Sequence, residues 1–211
     1  MVALVTAWVA GSGASGPSGG VPGSTDATRL GPAAGETVAG YLDRVRAVPP
    51  GPPGPRPALV TFAAEQDVAS AARLVDGATP REAVFRVPLP RVQTALRQVT
   101  LGTAAPADAL RLAEAQAANR AGEQARTSTG RAATIAATES ARLAAGCACT
   151  LAVVVEVDPA LAPALAARPG VRAVEVAPAG ARIGALAVSP LLPEQTDTVG
   201  PVPDDGPVPP P

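Results

Sequence analysis

The sequence predicts an α+β fold in which two strand–helix–strand units flank an alanine-rich helical hairpin. Three observations carry this. Residues 58–87 read as an apolar strand (ALVTFAA, 58–64), a helical run (QDVASAARLVDG, 66–77) and a second strand (EAVFRV, 82–87). Residues 149–177 repeat the pattern at similar lengths, as CTLAVVVEV, DPALAPALAARPG and VRAVEVA. Between them, residues 104–146 are dominated by Ala, Leu, Arg, Glu and Gln, the strongest helix formers. Two βαβ units packed together give a four-stranded sheet with helices on one face, the ferredoxin-like split βαβ arrangement. The right-handed crossover makes each unit self-consistent.

Taken in order, residues 1–10 (MVALVTAWVA) form an apolar run that starts at Met1. Spanning a bilayer takes about 20 apolar residues, so this run reads as a truncated signal or anchor-like segment rather than a span. A start placed too far downstream, cutting off a basic segment, is the favoured expectation; a short hydrophobic N-terminus is the other. Residues 11–57 read as a flexible linker, Gly/Ser/Pro-rich over 11–34, that carries one short amphipathic helix. That helix is placed at 36–48 by the spacing of Val38, Tyr41, Leu42, Val45 and Val48, and Pro49–Pro50 end it.

The α+β domain is expected over 58–178. Asp67 lies where an N-cap is needed and Gly77 is a natural helix stop. Asp158–Pro159 opens the second unit's helix, and Pro163 falls near its tolerated first turn. In the 104–146 insertion, Pro106–Asp108 opens one helix, Thr127–Gly130 breaks it, and RAATIAATESARLAAG (131–146) forms the second. Its apolar positions are nearly all Ala, which predicts close helix packing or a thin stalk. Residues 88–102 fit a helix or a strand equally. Residues 179–211 read as a Pro-rich, acidic, disordered tail.

Composition excludes much chemistry. The chain has no His, and all 17 basic residues are Arg, so histidine-based triads, His metal sites, Schiff-base lysines and phosphate-loop lysines are absent. No glycine motif for dinucleotides opens a helix after a strand. A net charge of −1 argues against a nucleic-acid partner. Aromatic residues are 2% of the chain, so Ala, Val and Leu must fill the core. No catalytic residue, cofactor-binding residue or metal ligand is expected. Cys147 and Cys149 are the one local feature with chemistry, and they admit three readings: buried free thiols, a disulfide within or between chains, or a redox or soft-metal site. In an extended strand their Cα atoms would lie roughly 6.5–7 Å apart, at the limit for a disulfide, although a helix-to-strand corner could bring them closer.

The segments YLDRVRAVP, PRPALVTFAA, FRVPLPRVQT, the CxC pair, RPGVRAVEVAP and PLLPEQTDTVGPVPDDG together resemble a family of membrane-anchored, extracytoplasmic actinobacterial proteins of unknown function. The likeness covers most of 36–206. It implies an N-terminal membrane tether and a domain on the extracytoplasmic side of the cell membrane, the alternative being the cytoplasm. ALAARPGVRAVEV also resembles the last helix and strand of subtilisin-type propeptides, which are ferredoxin-like. The expected function is therefore a non-enzymatic, envelope-associated interaction or structural module with a protein partner. A propeptide-like protease inhibitor and a CxC thiol-redox or soft-metal protein are the alternatives.

Overall fold

The computed structural model describes residues 27–210. The anchor-like run 1–10 and the Gly/Ser-rich residues up to 26 lie outside them. In chain order the elements are β1 (Thr28–Leu30), α1 (Val38–Arg46), β2 (Arg56–Gln66), α2 (Val68–Leu74), β3 (Thr79–Phe85), β4 (Arg97–Thr100), α3 (Pro106–Thr127) and α4 (Gly130–Ala144). There follow β5 (Thr150–Val157), a 3-10 turn at Pro159–Leu161, α5 (Ala162–Ala166), β6 (Val171–Val176) and, after a second 3-10 turn, β7 (Leu186–Val188).

Five strands pair antiparallel in the order β4-β3-β5-β2-β6. The two strand–helix–strand units thus interleave: β5 of the second unit lies between β2 and β3 of the first. β2 and β5 are central and buried on both faces, which is why they read as continuous apolar runs. Register sorts their side chains. Val60, Val153, Ala83 and Val174 lie in line on one face, and Leu59, Val154, Glu82 and Glu175 on the other.

The first face is covered by helices. Ala71 and Val75 of the α2 segment, the α3 stripe Ala109, Leu110, Ala113, Ala117 and Ala121, and Ala162 and Leu165 of α5 join the strands in one core. Local signals set these helices. Asp67 caps α2 by accepting from Ser70 N at 2.9 Å, and Asp158 accepts from Ala160 N at 2.9 Å. The hairpin breaks at Ser128–Thr129, and Gly130 takes the left-handed conformation at φ 59°. α3 packs against the sheet and α4 against α3, so the hairpin does not project as a stalk. Ser140 Oγ donates to Ala118 O at 2.9 Å, and a Cβ on Gly122 would lie 3.1 Å from Ser140 Oγ.

A charge pair pins this hairpin to the sheet edge. Arg97 of β4 meets Glu139 of α4, with side chains 9% and 1% exposed. Glu139 also accepts from Ala95 N at 2.7 Å, and Arg97 donates to Gln124 of α3 at 2.8 Å.

The second face differs from expectation. Residues 27–57 are not a linker, and the segment after 178 is not a disordered tail: both pack over this face and around its edges. β1 and β7 pair in parallel and bury Leu30 against Leu59, Val84, Ala152 and Val154. α1 falls within the span its periodicity predicts and buries Val38, Tyr41 and Val45 against Ala173 and Leu191. Glu175 ties α1 and β1 to the sheet, accepting from Gly31 N at 2.6 Å, Tyr41 Oη at 3.2 Å and Arg44 Nη1 at 2.9 Å. The tail is held by a bridge between Thr37 and Thr198, by Gly206 N donating to Arg91 O at 2.7 Å, and by Thr138 Oγ1 donating to Pro209 O at 2.8 Å. Proline suits such a strap, because its conformation is already restricted and little entropy is lost on docking. The ambiguous stretch 88–102 holds β4, a fifth strand that the two-unit reading lacks.

Glu139→Ala would leave Arg97 charged, buried and short of its carboxylate, and Ala95 N–H without an acceptor. The expected loss is about 3–5 kcal/mol in denaturant unfolding, with hydrogen exchange rising first in α3 and α4. A loss below about 1 kcal/mol would show that the hairpin is held by apolar packing alone.

Candidate functional site

The corner where α4 hands over to β5 brings together the two cysteines and a buried carboxyl group that the sequence reading passed over. α4 ends at Ala144, and Gly146, at φ 75°, turns the chain while its N–H donates to Leu143 O at 3.1 Å. Cys147 and Cys149 then close a disulfide with Cα atoms 5.3 Å apart, inside the spacing an extended strand would impose. The turn at Gly146 makes that approach possible. Cys149 is fully buried in the helix-side core, and its carbonyl accepts from Arg86 N at 2.8 Å. Cys147 is half-buried and Ala148 is exposed.

The disulfide closes a loop of only three residues. Chain-entropy arguments give such a loop about 1.5 kcal/mol of stabilisation, well under the 3 kcal/mol or so of a fifteen-residue loop. Packing of the core, not this bond, therefore holds the corner together.

Glu114 lies beside it. It falls on the buried stripe of α3 among Leu110, Ala113, Ala117 and Ala118, and it is only 4% exposed. Its Oε1 is buried and has no hydrogen-bond partner. The carboxyl lines a pocket of about 280 Å³ with Asp67, Val68, Arg111, Ala115 and the last turn of α4 from Leu143 to Gly146. Gln66 is in register with Thr150, so Asp67, one residue on, sits at the end of β2 next to Cys149. Burial pushes the Glu114 carboxyl up to about 7, Asp67 adds to the rise, and Arg111 opposes it. Asp67 is itself held below the usual carboxylate range by the hydroxyl and amide of Ser70. Two carboxyl groups thus share one rim, one ionised and one near its midpoint at neutral pH. A signal for Glu114 existed in the sequence: three of its four neighbours at three and four residues' spacing, Leu110, Ala117 and Ala118, are apolar, the fourth being Arg111.

A second cavity, of about 340 Å³, lies under the C-terminal strap between Pro88–Val92 and Val202–Pro203. Its buried cation, Arg86, is matched within the chain by Glu65 at 3.1 Å and by Glu194, which accepts at 2.8 Å from Nη1. That cavity has no unmet charge, and the Glu114 pocket has one.

Among the described residues no group of three or more His, Cys, Asp or Glu is placed to hold a metal ion, and no helix is long and apolar enough to cross a membrane. The chain matches no family model, and no curated protein or solved structure is significantly similar to it.

Two outcomes test this corner. Because folded Glu114 holds its proton more tightly than the unfolded chain does, its contribution is most favourable below about 4.5 and is lost as pH rises to about 7. Glu114→Gln should therefore flatten the fall in thermal midpoint across that window and raise the midpoint at pH 8, as read by circular dichroism. Replacing both Cys147 and Cys149 by Ala should lower stability by only about 1–2 kcal/mol in chemical denaturation; loss of folding would show that the disulfide dominates the corner.

Proposed function

We propose that this chain is a non-enzymatic interaction module of the cell envelope, built on a ferredoxin-like split βαβ core and working on the extracytoplasmic side. The Cys147–Cys149 disulfide carries the reading, because disulfides persist in oxidising compartments and are rare in a reducing cytosol. The core assignment is supported by the interleaved order β3-β5-β2-β6, in which β2-α2-β3 and β5-α5-β6 are the two βαβ units and β4 is an added edge. The interaction role is supported by the Glu114 pocket, where a buried carboxyl oxygen without a partner lines a cavity. A membrane tether through the N-terminus and a protein partner complete the proposal.

One observation favours a second reading, thiol–disulfide exchange. The sulfur of half-buried Cys147 lies in a three-residue loop beside exposed Ala148 and adds little to stability, as an exchangeable bond would. The protease-inhibitor reading gains nothing from the strap: the described part of the C-terminal segment is tied back onto the body and does not extend toward a cleft.

The test is a C-terminal tag at the native locus, with protease added to intact, wall-stripped cells and thiols trapped by a maleimide before lysis. The envelope reading expects tag cleavage from outside and Cys147 and Cys149 protected from the maleimide until reductant is added. A protected tag with both cysteines alkylated would place the chain in the cytosol and overturn it.

A further inference from the structure

We infer that the pocket between α2, α3 and the end of α4 is a binding site for a guanidinium group carried on an alkyl stem, such as an arginine side chain. The wall is mixed in the way such a group needs. Val68, Ala115, Leu143 and Ala144 supply apolar surface for a stem, while Glu114 and Asp67 supply carboxylates. Ala144 and Ala145 close the pocket at the C-terminal end of a fifteen-residue helix. The last carbonyls of a helix lack intrahelical partners and carry its negative end, so this wall also favours a cation with several N–H donors.

Glu114 is the independent sign that something is missing. A carboxyl group 4% exposed with an unpartnered Oε1 is expensive to keep, and buried carboxylates are ordinarily paired. Among the described residues no cation fills the role. Arg111 lines the pocket, yet its side chain is 61% exposed and bonds Asp108 at 2.5 Å. The facing groups are few: Asp67 from the start of α2, Arg111 from α3 itself, and no titratable side chain from the Leu143–Gly146 turn.

The shape argues against a bare metal ion. A calcium ion takes about six to eight oxygens at roughly 2.3–2.6 Å, whereas this pocket offers two carboxylates spread around about 280 Å³. A planar guanidinium spans carboxylates through paired N–H bonds and tolerates an apolar floor. The inference gives the interaction module a ligand chemistry, and it rests on that reading only for the cation's source. Binding to the isolated chain does not depend on compartment, so the two stand or fall separately.

The experiment titrates the full-length oxidised protein with N-acetyl-arginine methylamide, following amide shifts by NMR. Parallel titrations use ethylguanidinium, a peptide with a single arginine, and calcium chloride. The expected result is saturable binding at pH 8, with shifts centred on Glu114 and Gly146, that weakens about tenfold per pH unit below about 7. Glu114→Gln should fold normally and bind about ten- to hundredfold more weakly, while Glu123→Gln on the exposed side of α3 binds as the parent does. Tighter binding of the peptide than of ethylguanidinium would identify a partner's side chain; equal binding would identify a free small cation. No binding at 10 mM, unchanged binding by Glu114→Gln, or equivalent shifts with calcium alone would overturn the proposal.

Discussion

The pairing of Arg97 with Glu139 is the constraint on which the remaining architecture rests. It joins β4, an edge strand, to α4, the second helix of the hairpin, and both charges are nearly excluded from water. A buried ion pair is a weak source of net stability but a strong source of specificity, because any other docking of the hairpin would strand one charge. Gln124 and Ala95 N–H add to this pair, so α3, α4 and β4 are placed by one group of bonds. With α3 so placed, Glu114 is carried to the end of β2 and the cysteine corner.

Alanine makes this placement close. Where two helices meet through Leu or Phe, their axes stand well apart; where they meet through Ala118, Ala121 and Gly122, backbone can approach backbone. Here the approach is near enough for Ser140 to hydrogen-bond a carbonyl of the facing helix. Small side chains bury less apolar area each, at roughly 25 cal/mol per Å². The fold offsets this by covering both faces of its sheet, using the α1 segment and the proline-rich strap where larger side chains would otherwise be needed.

The strap has a second consequence. By bringing Glu194 to Arg86, it neutralises the buried cation under the tail and closes that end of the molecule electrostatically. Glu175 does the same for the α1 side, collecting Arg44, Tyr41 and the Gly31 amide. Glu114, by contrast with Glu194 and Glu175, has no cation bonded to it among the described residues. Its environment combines a low local dielectric, a neighbouring carboxylate and a helix C-terminus, all of which disfavour its charge until a cation arrives.

Local chemistry was legible from the sequence. The apolar runs of β2, β3, β5 and β6 show in the residue pattern, as do the caps at Asp67 and Asp158, the break between α3 and α4, and the periodicity of α1. Each of these depends on residues within a turn or two of one another. Tertiary structure decided the rest. β4 lies in a stretch whose spacing suits helix and strand alike, and only its partner β3 selects strand. The segments 27–57 and 179–210 look like linker and tail because they are rich in Pro and Gly, yet their docking depends on bonds spanning more than a hundred residues, such as Gly31 to Glu175 and Arg91 to Asp205. The cysteine pair was visible as a motif, but its bonded state depended on the turn at Gly146. Glu114 was visible as a charged residue on an apolar stripe, and only the packing of α2, α3 and α4 showed that the stripe leaves it unpaired.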